Sequence, residues 1–137
     1  MSKKKKLLPM DKWINKPIHS SPDLTLDKKR MNRYQKQFDK YGYSDVETWN
    51  LFSNIANFTL PRLKRFKLIV NGYPPDLSEK KWEDIIDEMI FALNYAANCD
   101  DIDTDNNSKT KEQLAEYHKR VENGFQLFAK YFMHLWW

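Results

Sequence analysis

Four cations lie close together after a proline. Residues 59–67 read Thr-Leu-Pro-Arg-Leu-Lys-Arg-Phe-Lys, which places the cations at Arg62, Lys64, Arg65 and Lys67. On a helix, Leu63, Phe66 and Val70 share one stripe, and the cations lie on its two shoulders. Cations near a helix start suit an anion such as phosphate, but solvated side chains that flank a buried face would follow the same pattern.

Large aromatic side chains accompany these cations. Aromatic residues make up 15% of the chain and include five Trp, although the mean hydropathy is -0.81. Arginine binds phosphate through paired hydrogen bonds, and a flat ring stacks on a nucleobase for about 1–3 kcal/mol. The combination predicts a nucleotide site formed by the four cations together with Tyr73, Trp82, Trp136 and Trp137. Whether these rings lie near the cations depends on the tertiary fold.

Acidic residues near position 100 match part of a calcium-binding loop. The first, third, fifth and twelfth positions of that pattern are Asp101, Asp103, Asp105 and Glu112. However, Asn106 stands where the loop needs glycine for a sharp turn, and Lys109 stands where a ligand is expected. We therefore interpret residues 99–108 as a solvated acidic loop and keep calcium binding as a weaker alternative.

A second acidic group lies on predicted helices. It consists of Glu83, Asp84, Asp87 and Glu88, followed by Glu112 and Glu116. This pattern is similar to the paired carboxylates of all-α nucleotide pyrophosphatases, in which Mg²⁺ bridges two helices. An ordinary wet helix face has the same spacing, and pairing with Arg62 and Arg65 across a helix interface is a further possibility.

No catalytic set or cofactor site is assigned. The histidines His19, His118 and His134 are isolated in sequence, and none has a partner at metal-ligand spacing. No serine or cysteine has a candidate base beside it. We expect structural or surface roles for the histidines.

Helix boundaries are marked by glycines, prolines and capping residues. A short helix is predicted over residues 27–41 and ends at Gly42. Ser44 opens a capping box for a second helix, which should bend or restart at Pro61 and end near Val70. Two more helices are predicted to begin after Ser78 and Thr110.

These elements predict an all-α protein. We expect a compact bundle of three longer helices and a short one, which form a single helical domain over residues 27–137. Residues 1–26 carry three prolines and four consecutive lysines without any periodicity, which predicts an irregular basic arm.

Two rings on the third helix imply an additional contact. Phe91 and Tyr95 project opposite the apolar face that contains Ile86 and Met89. Large rings on a nominally wet face need a cover, which could be the arm, another helix or another subunit. We assign Phe91 and Tyr95 to a predicted oligomer interface.

Overall charge and cysteine content narrow the functional classes. The formal net charge is +4, and the lysines at residues 3–6 account for it, so the remaining chain is near neutral. Extended or specific DNA binding normally needs a broad basic face and is not expected. The single Cys99 forbids an intramolecular disulfide. With no signal-like or long apolar run in the sequence, we expect a reducing cytosol and no membrane association.

Several sequence blocks resemble a widespread family of small proteins carried by tailed phages. They include LPRLKRFK, GYP and LFAKYF, and lie at residues 42–45, 49–51, 60–67, 72–74, 82–91 and 124–136. Within this family the chain is similar to anti-CBASS sponges, oligomeric proteins that sequester cyclic dinucleotide immune signals without cleaving them. The resemblance implies a homotetramer in the host cytoplasm, without enzymatic activity, and a ligand such as cyclic GMP-AMP.

The resulting functional hypothesis is a phage immune-evasion protein that acts as a nucleotide sponge. Arg62 and Arg65 would hold phosphates, Lys64 and Lys67 would add charge, and one or more of the four rings would cover the bases. One alternative is a protein-binding inhibitor of a host defence factor that uses exposed aromatic side chains. The other is the Mg²⁺-dependent pyrophosphatase.

Overall fold

The computed structural model describes residues 28–137, and this range is all-α with no β-strand. Its four α-helices are α1 (Lys28–Tyr41), α2 (Leu51–Ile69), α3 (Glu79–Asp105) and α4 (Lys111–Tyr131). Short 3₁₀ turns occupy Asp45–Thr48, Asn106–Ser108 and Phe132–His134. The predicted all-α class is confirmed. The predicted arm at residues 1–26, with His19, lies outside the described residues.

The chain divides into two compact units, one ending at Asn54 and the other covering Ile55–Trp137. The sequence predicted one helical domain over residues 27–137. The boundary falls inside α2, where no turn residue or change in composition marks it.

In the first unit, the end of α1 follows the sequence signals. Gly42 has a φ of +81°, a conformation that favours glycine, and its N–H donates to the Phe38 carbonyl at 2.8 Å. The Ser44 N–H donates to the Glu47 carboxylate at 2.6 Å, as a capping box requires. However, this cap opens the 3₁₀ turn at Asp45–Thr48, and α2 begins only at Leu51.

The helix was predicted to bend or restart at Pro61, and it does not restart there, because α2 continues to Ile69 with Pro61 inside it. Proline removes one N–H donor and does not by itself force a break. Buried Leu60 and Leu63 flank Pro61 and hold this part of α2 against the apolar core. Tertiary packing therefore outweighs the local preference.

The core of the second unit is centred on α3. Ile86 and Met89 are fully buried there, with Leu60 and Leu63 of α2 in the same cluster. At the C-terminal end of α4, the Tyr131 ring lies edge-on against Trp82, with the ring centroids 5.5 Å apart. Burying each large apolar side chain contributes about 1.5–3 kcal/mol, so this cluster is what holds the three helices together.

The predicted acidic loop at residues 99–108 is largely helical instead. The backbone of α3 departs from helical geometry at Asn98, where φ is -133° and ψ is 27°, and the helix then continues to Asp105. The Thr104 hydroxyl donates to the Asp100 carbonyl at 2.8 Å, and the Tyr95 hydroxyl donates to Asp103 at 3.1 Å. These contacts stabilise turns that the local composition did not favour.

No helix within residues 28–137 is long and apolar enough to cross a membrane.

Candidate functional site

Four rings that are far apart in sequence line a single pocket. This ring pocket is formed by Tyr73, Trp82, Trp136, Trp137 and His134, together with the loop residues 71–75, and its volume is about 160 Å³. The structure thus brings together all four rings that were predicted to contact a ligand.

The ring pocket is positioned by three short segments around the start of α3. The loop after α2 is closed by a hydrogen bond from the Leu77 N–H to the Pro74 carbonyl at 3.0 Å. The Ser78 hydroxyl accepts from the Lys81 N–H at 3.2 Å and begins α3. Trp136 and Trp137 follow the 3₁₀ turn after α4.

The rings of the pocket differ in what they can offer a ligand. Trp82 is only 2% exposed and belongs to the core, so it contributes the floor. Tyr73 is 52% exposed, and Trp136 and Trp137 are 73% and 70% exposed. These three rings have free surface on which a flat group can stack.

His134 adds a polar ring to the pocket. Its ring lies edge-on to Tyr131, with centroids 5.8 Å apart, and it lines the pocket beside the tryptophans. Sequence reasoning treated it as an isolated histidine. In the sequence, the only indication that His134 belongs to this pocket was its position two residues before Trp136.

The four predicted cations do not line the ring pocket. The Lys67 ammonium pairs with Asp87 at 2.7 Å. The Arg62 guanidinium donates to the Phe58 carbonyl at 2.7 Å and lies 3.8 Å above the Phe58 ring. Lys64 and Arg65 are exposed on α2. The sequence left open an ion pair between α3 and Arg62 or Arg65 of α2. In the structure it is Lys67 of α2 that pairs with Asp87 of α3.

Cations and rings do meet in a second place, along α4. This α4 groove is lined by Phe91, Lys109, Gln113, Tyr117, Lys119 and Arg120, with Glu116 and Asn123 beside them, and its volume is about 710 Å³. Sequence reasoning missed its cations because each looks like a solvated side chain of an amphipathic helix. The unexplained rings on α3 were the one available signal.

Phe91 and Tyr95 are covered by α4 of the same chain. The Tyr117 ring lies 5.1 Å from Phe91 and 5.8 Å from Tyr95, and His118 lies edge-on to Tyr95. The sequence left three possible covers for these two rings, namely the arm, another helix or another subunit. The structure shows that another helix covers them. Their role in a subunit interface stays a prediction.

The groove has a rigid cation at one end. Arg120 donates through Nε and Nη2 to the Glu88 carboxylate at 3.0 Å and 2.9 Å, and its guanidinium lies 3.7 Å from the Phe91 ring centroid. Hydrogen bonding to Glu88 raises the pKa of Arg120. At Tyr95 and Tyr117 burial raises the pKa of the phenol, and Asp103 adds to the effect.

Three acidic residues of α3 are engaged in ion pairs. Asp84 pairs with Lys80 at 2.5 Å, in addition to the Asp87 and Glu88 pairs with Lys67 and Arg120. Glu83 on α3 and Glu112 and Glu116 on α4 are exposed.

The calcium-loop pattern does not form a loop. Asp101, Asp103 and Asp105 all lie in α3, where residues two apart point about 200° from each other. Within residues 28–137, no group of three or more His, Cys, Asp or Glu side chains is arranged to hold a metal ion.

Compared with protein-family models, curated proteins and solved structures, this chain matches none of them.

Proposed function

We propose that this protein binds a cyclic dinucleotide signal, such as cyclic GMP-AMP, and sequesters it without cleavage. The observation that supports this most directly is the convergence of Tyr73, Trp82, Trp136 and Trp137 in one pocket. The resemblance to phage-encoded sponges supplies the ligand class and the role in immune evasion.

The ring pocket suits a nucleobase better than a phosphate. Within the described part of the chain it is lined by no Lys, Arg, Asp or Glu, and its exposed rings offer flat apolar surface. Stacking on such a ring is worth about 1–3 kcal/mol per base. His134 and Asn71 provide polar atoms that can hydrogen-bond to the edge of a stacked base.

The size of the pocket bears on the number of copies that share one ligand. At about 160 Å³ it is smaller than the roughly 300–1,000 Å³ of typical small-molecule sites. It therefore holds one base, whereas a cyclic dinucleotide has two. In the proposed oligomer, a second copy provides the pocket for the second base, in agreement with the tetramer that the resemblance implies.

The phosphates are assigned to cations outside the pocket. Lys64 and Arg65 are exposed on α2, whose last turn leads into the loop at residues 71–75. A guanidinium binds a phosphodiester oxygen pair more specifically than an ammonium, so Arg65 is the proposed anchor and Lys64 adds charge. Arg62 and Lys67 are engaged within the chain and add charge at longer range.

Binding without cleavage has more support than the pyrophosphatase alternative. Of the six carboxylates that this alternative would use, Asp84, Asp87 and Glu88 each pair with a cation. A carboxylate that is already held by a cation in this way is a weaker ligand for Mg²⁺.

Exposed apolar residues favour a protein-binding inhibitor as the second candidate. In the second unit, Ile55, Phe58 and Leu68 of α2 are 52%, 44% and 77% exposed. Several exposed apolar side chains on one helix are typical of a protein contact, either with a host factor or with further copies of this chain.

Calorimetry with a panel of cyclic dinucleotides, followed by chromatography of the recovered nucleotide, tests the proposal. We expect saturable binding and an intact product, with about tenfold weaker binding for Trp136→Ala or Trp137→Ala. Trp49→Ala is the matched control, because Trp49 is 77% exposed and is not among the residues that line the ring pocket.

Four outcomes would contradict the sponge or its site. A hydrolysed product would indicate an enzyme, and the absence of heat with every nucleotide would favour the protein-binding alternative. A monomer in light scattering, with and without nucleotide, would exclude the shared site. An equal loss of affinity in the Trp49→Ala control would show that the ring pocket is not the base site.

A further inference from the structure

The α4 groove has two cations at opposite ends of a pair of rings. Lys109 lies with its Nζ 4.7 Å from the Tyr117 ring, and Arg120 lies 3.7 Å from the Phe91 ring. The two rings are 5.1 Å apart and tilted by 58°. Gln113 and Arg120 are seven residues apart on α4, so the groove extends about 10 Å along the helix axis.

Arg120 keeps donors available for a ligand. Glu88 accepts from Nε and Nη2, which orients the guanidinium, and the group lies 3.7 Å from the Phe91 ring centroid. A guanidinium has five N–H donors, so Nη1 and the second hydrogen of Nη2 are left for another acceptor. The orientation is set before any ligand arrives, which lowers the entropy cost of binding.

The charge of the lining favours an anion. Lys109, Lys119 and Arg120 supply three positive charges, against the negative charges of Glu116 in the lining and of Glu88, which pairs with Arg120, so one positive charge is in excess. Gln113 and Asn123 add neutral donors at either end. Positive charge is thus present at both ends of the groove, with an apolar ring floor between.

We infer that the α4 groove binds a nucleoside that carries a phosphate on each side of its sugar, as in each unit of a single-stranded nucleic acid. One phosphate contacts Lys109 and Gln113, and the other contacts Arg120 and Lys119. The sugar and base lie between the two cations, against the side chains of Tyr117 and Phe91. This site is separate from the ring pocket and does not depend on the proposed sponge activity.

Phosphate placement provides a sharp test with small molecules. Adenosine 3′,5′-bisphosphate and adenosine 5′-diphosphate have the same base and the same number of phosphates, but only the first carries phosphates on both sides of the sugar. Calorimetry on the full chain should show at least about fivefold tighter binding of the bisphosphate, and a short single-stranded oligonucleotide should compete with it. Linear polyphosphate should compete more weakly, because it has no base to place against the rings.

Variants locate the site. Lys109→Gln and Lys119→Gln each remove one charge and should weaken bisphosphate binding by about three- to tenfold. Lys130→Gln makes the same change on the same helix, outside the groove, and should leave binding unchanged. All three side chains are exposed, and thermal unfolding of each variant checks that the fold is kept.

Several results would overturn the assignment. The first is that the bisphosphate does not bind at millimolar concentration, and the second is that the 5′-diphosphate binds as tightly as the bisphosphate. The third is that polyphosphate competes as well as the oligonucleotide. The fourth is that Lys130→Gln weakens binding as much as the two groove variants do. Because Trp136→Ala removes a ring of the other pocket, it should leave bisphosphate binding intact; a matching loss there would place the bisphosphate in the ring pocket instead.

Discussion

Arg120 combines two contacts that a lysine cannot reproduce. Its guanidinium donates twice to Glu88 and lies 3.7 Å from the Phe91 ring centroid, which joins α4 to α3 through an ion pair and a cation–π contact together. An ammonium is a point charge without a planar face. The side chains are 51% and 29% exposed, so solvent screens much of the attraction, and the geometry matters more than the charge.

We therefore expect Arg120→Lys to lower the free energy of unfolding by about 0.5–1 kcal/mol, measured by urea denaturation. Arg33→Lys is the matched control, because Arg33 lies 5.2 Å from the Tyr34 ring and is exposed on α1. The control should change stability by less than about 0.5 kcal/mol. Equal losses in the two variants would show that the paired geometry at Glu88 contributes nothing.

At the residue scale, the contacts of the aromatic side chains were more predictable from the sequence than the contacts of the charged side chains. Phe91 and Tyr95 stand on the wrong face of an amphipathic pattern, and this anomaly correctly predicted an additional contact. The sequence could not choose the partner, because α4 offers Tyr117 and His118 only after the helices pack. Lys109 and Arg120 carry no anomaly in sequence, so their convergence on the rings was invisible.

At the element scale, the capping residues make the contacts that the sequence predicted, whereas the extent of the helices was predicted less well. Thr110 accepts from the Gln113 N–H at 3.2 Å, and Gln113 accepts from the Thr110 N–H at 3.0 Å, as the capping box predicted. Such contacts involve neighbours in sequence. Pro61 and residues 99–105 were misjudged because their helical state is decided by packing and by longer contacts such as Tyr95 with Asp103.

The crossing of α3 and α4 depends on a residue without a side chain. A Cβ atom at Gly124 would overlap the Glu88 carbonyl oxygen and would lie 2.6 Å from the Ala92 Cβ, far inside contact distance. The carbonyl belongs to the backbone of α3, so relief requires the helices to move apart. The Glu88 pair with Arg120 lies at the same crossing and would be disturbed as well.

We expect Gly124→Ala to destabilise the protein by about 1–3 kcal/mol, although alanine gains roughly 1 kcal/mol in helix propensity. Gly72→Ala is the control, since a Cβ there meets nothing within 4 Å and Gly72 has no positive φ. The control should be neutral or stabilising by up to about 1 kcal/mol. Urea denaturation measures both, and an unchanged midpoint for Gly124→Ala would mean that the close approach is not maintained in solution.

At the scale of the whole molecule, the sequence predicted the composition of the ring pocket but not its surroundings. Four large rings in a polar chain indicated a shared ligand site, and the four rings line one pocket. The predicted cations lie on α2, where Lys67 is held by Asp87 and Arg62 by Phe58. Which charged side chain forms an ion pair with a neighbouring helix depends on the rotation and spacing of the two helices. No local sequence pattern encodes either quantity.

Alkaline pH tests the packing of α3 on α4 as a whole. Burial raises the pKa of Tyr95 and Tyr117 above the ordinary value near 10, so the folded state binds more protons than the unfolded state once the unfolded phenols ionise. Their contribution is complete below about pH 10 and is lost as the pH rises through the folded pKa values. We expect the free energy of unfolding to fall as the pH rises above about 10, and to fall less steeply in the Tyr95→Phe/Tyr117→Phe double variant. Tyr41→Phe, at an exposed phenol of α1, should keep the steeper wild-type slope. If the double variant keeps that slope too, the two hydroxyls are as solvated in the folded protein as in the unfolded chain, and α4 does not cover this face of α3.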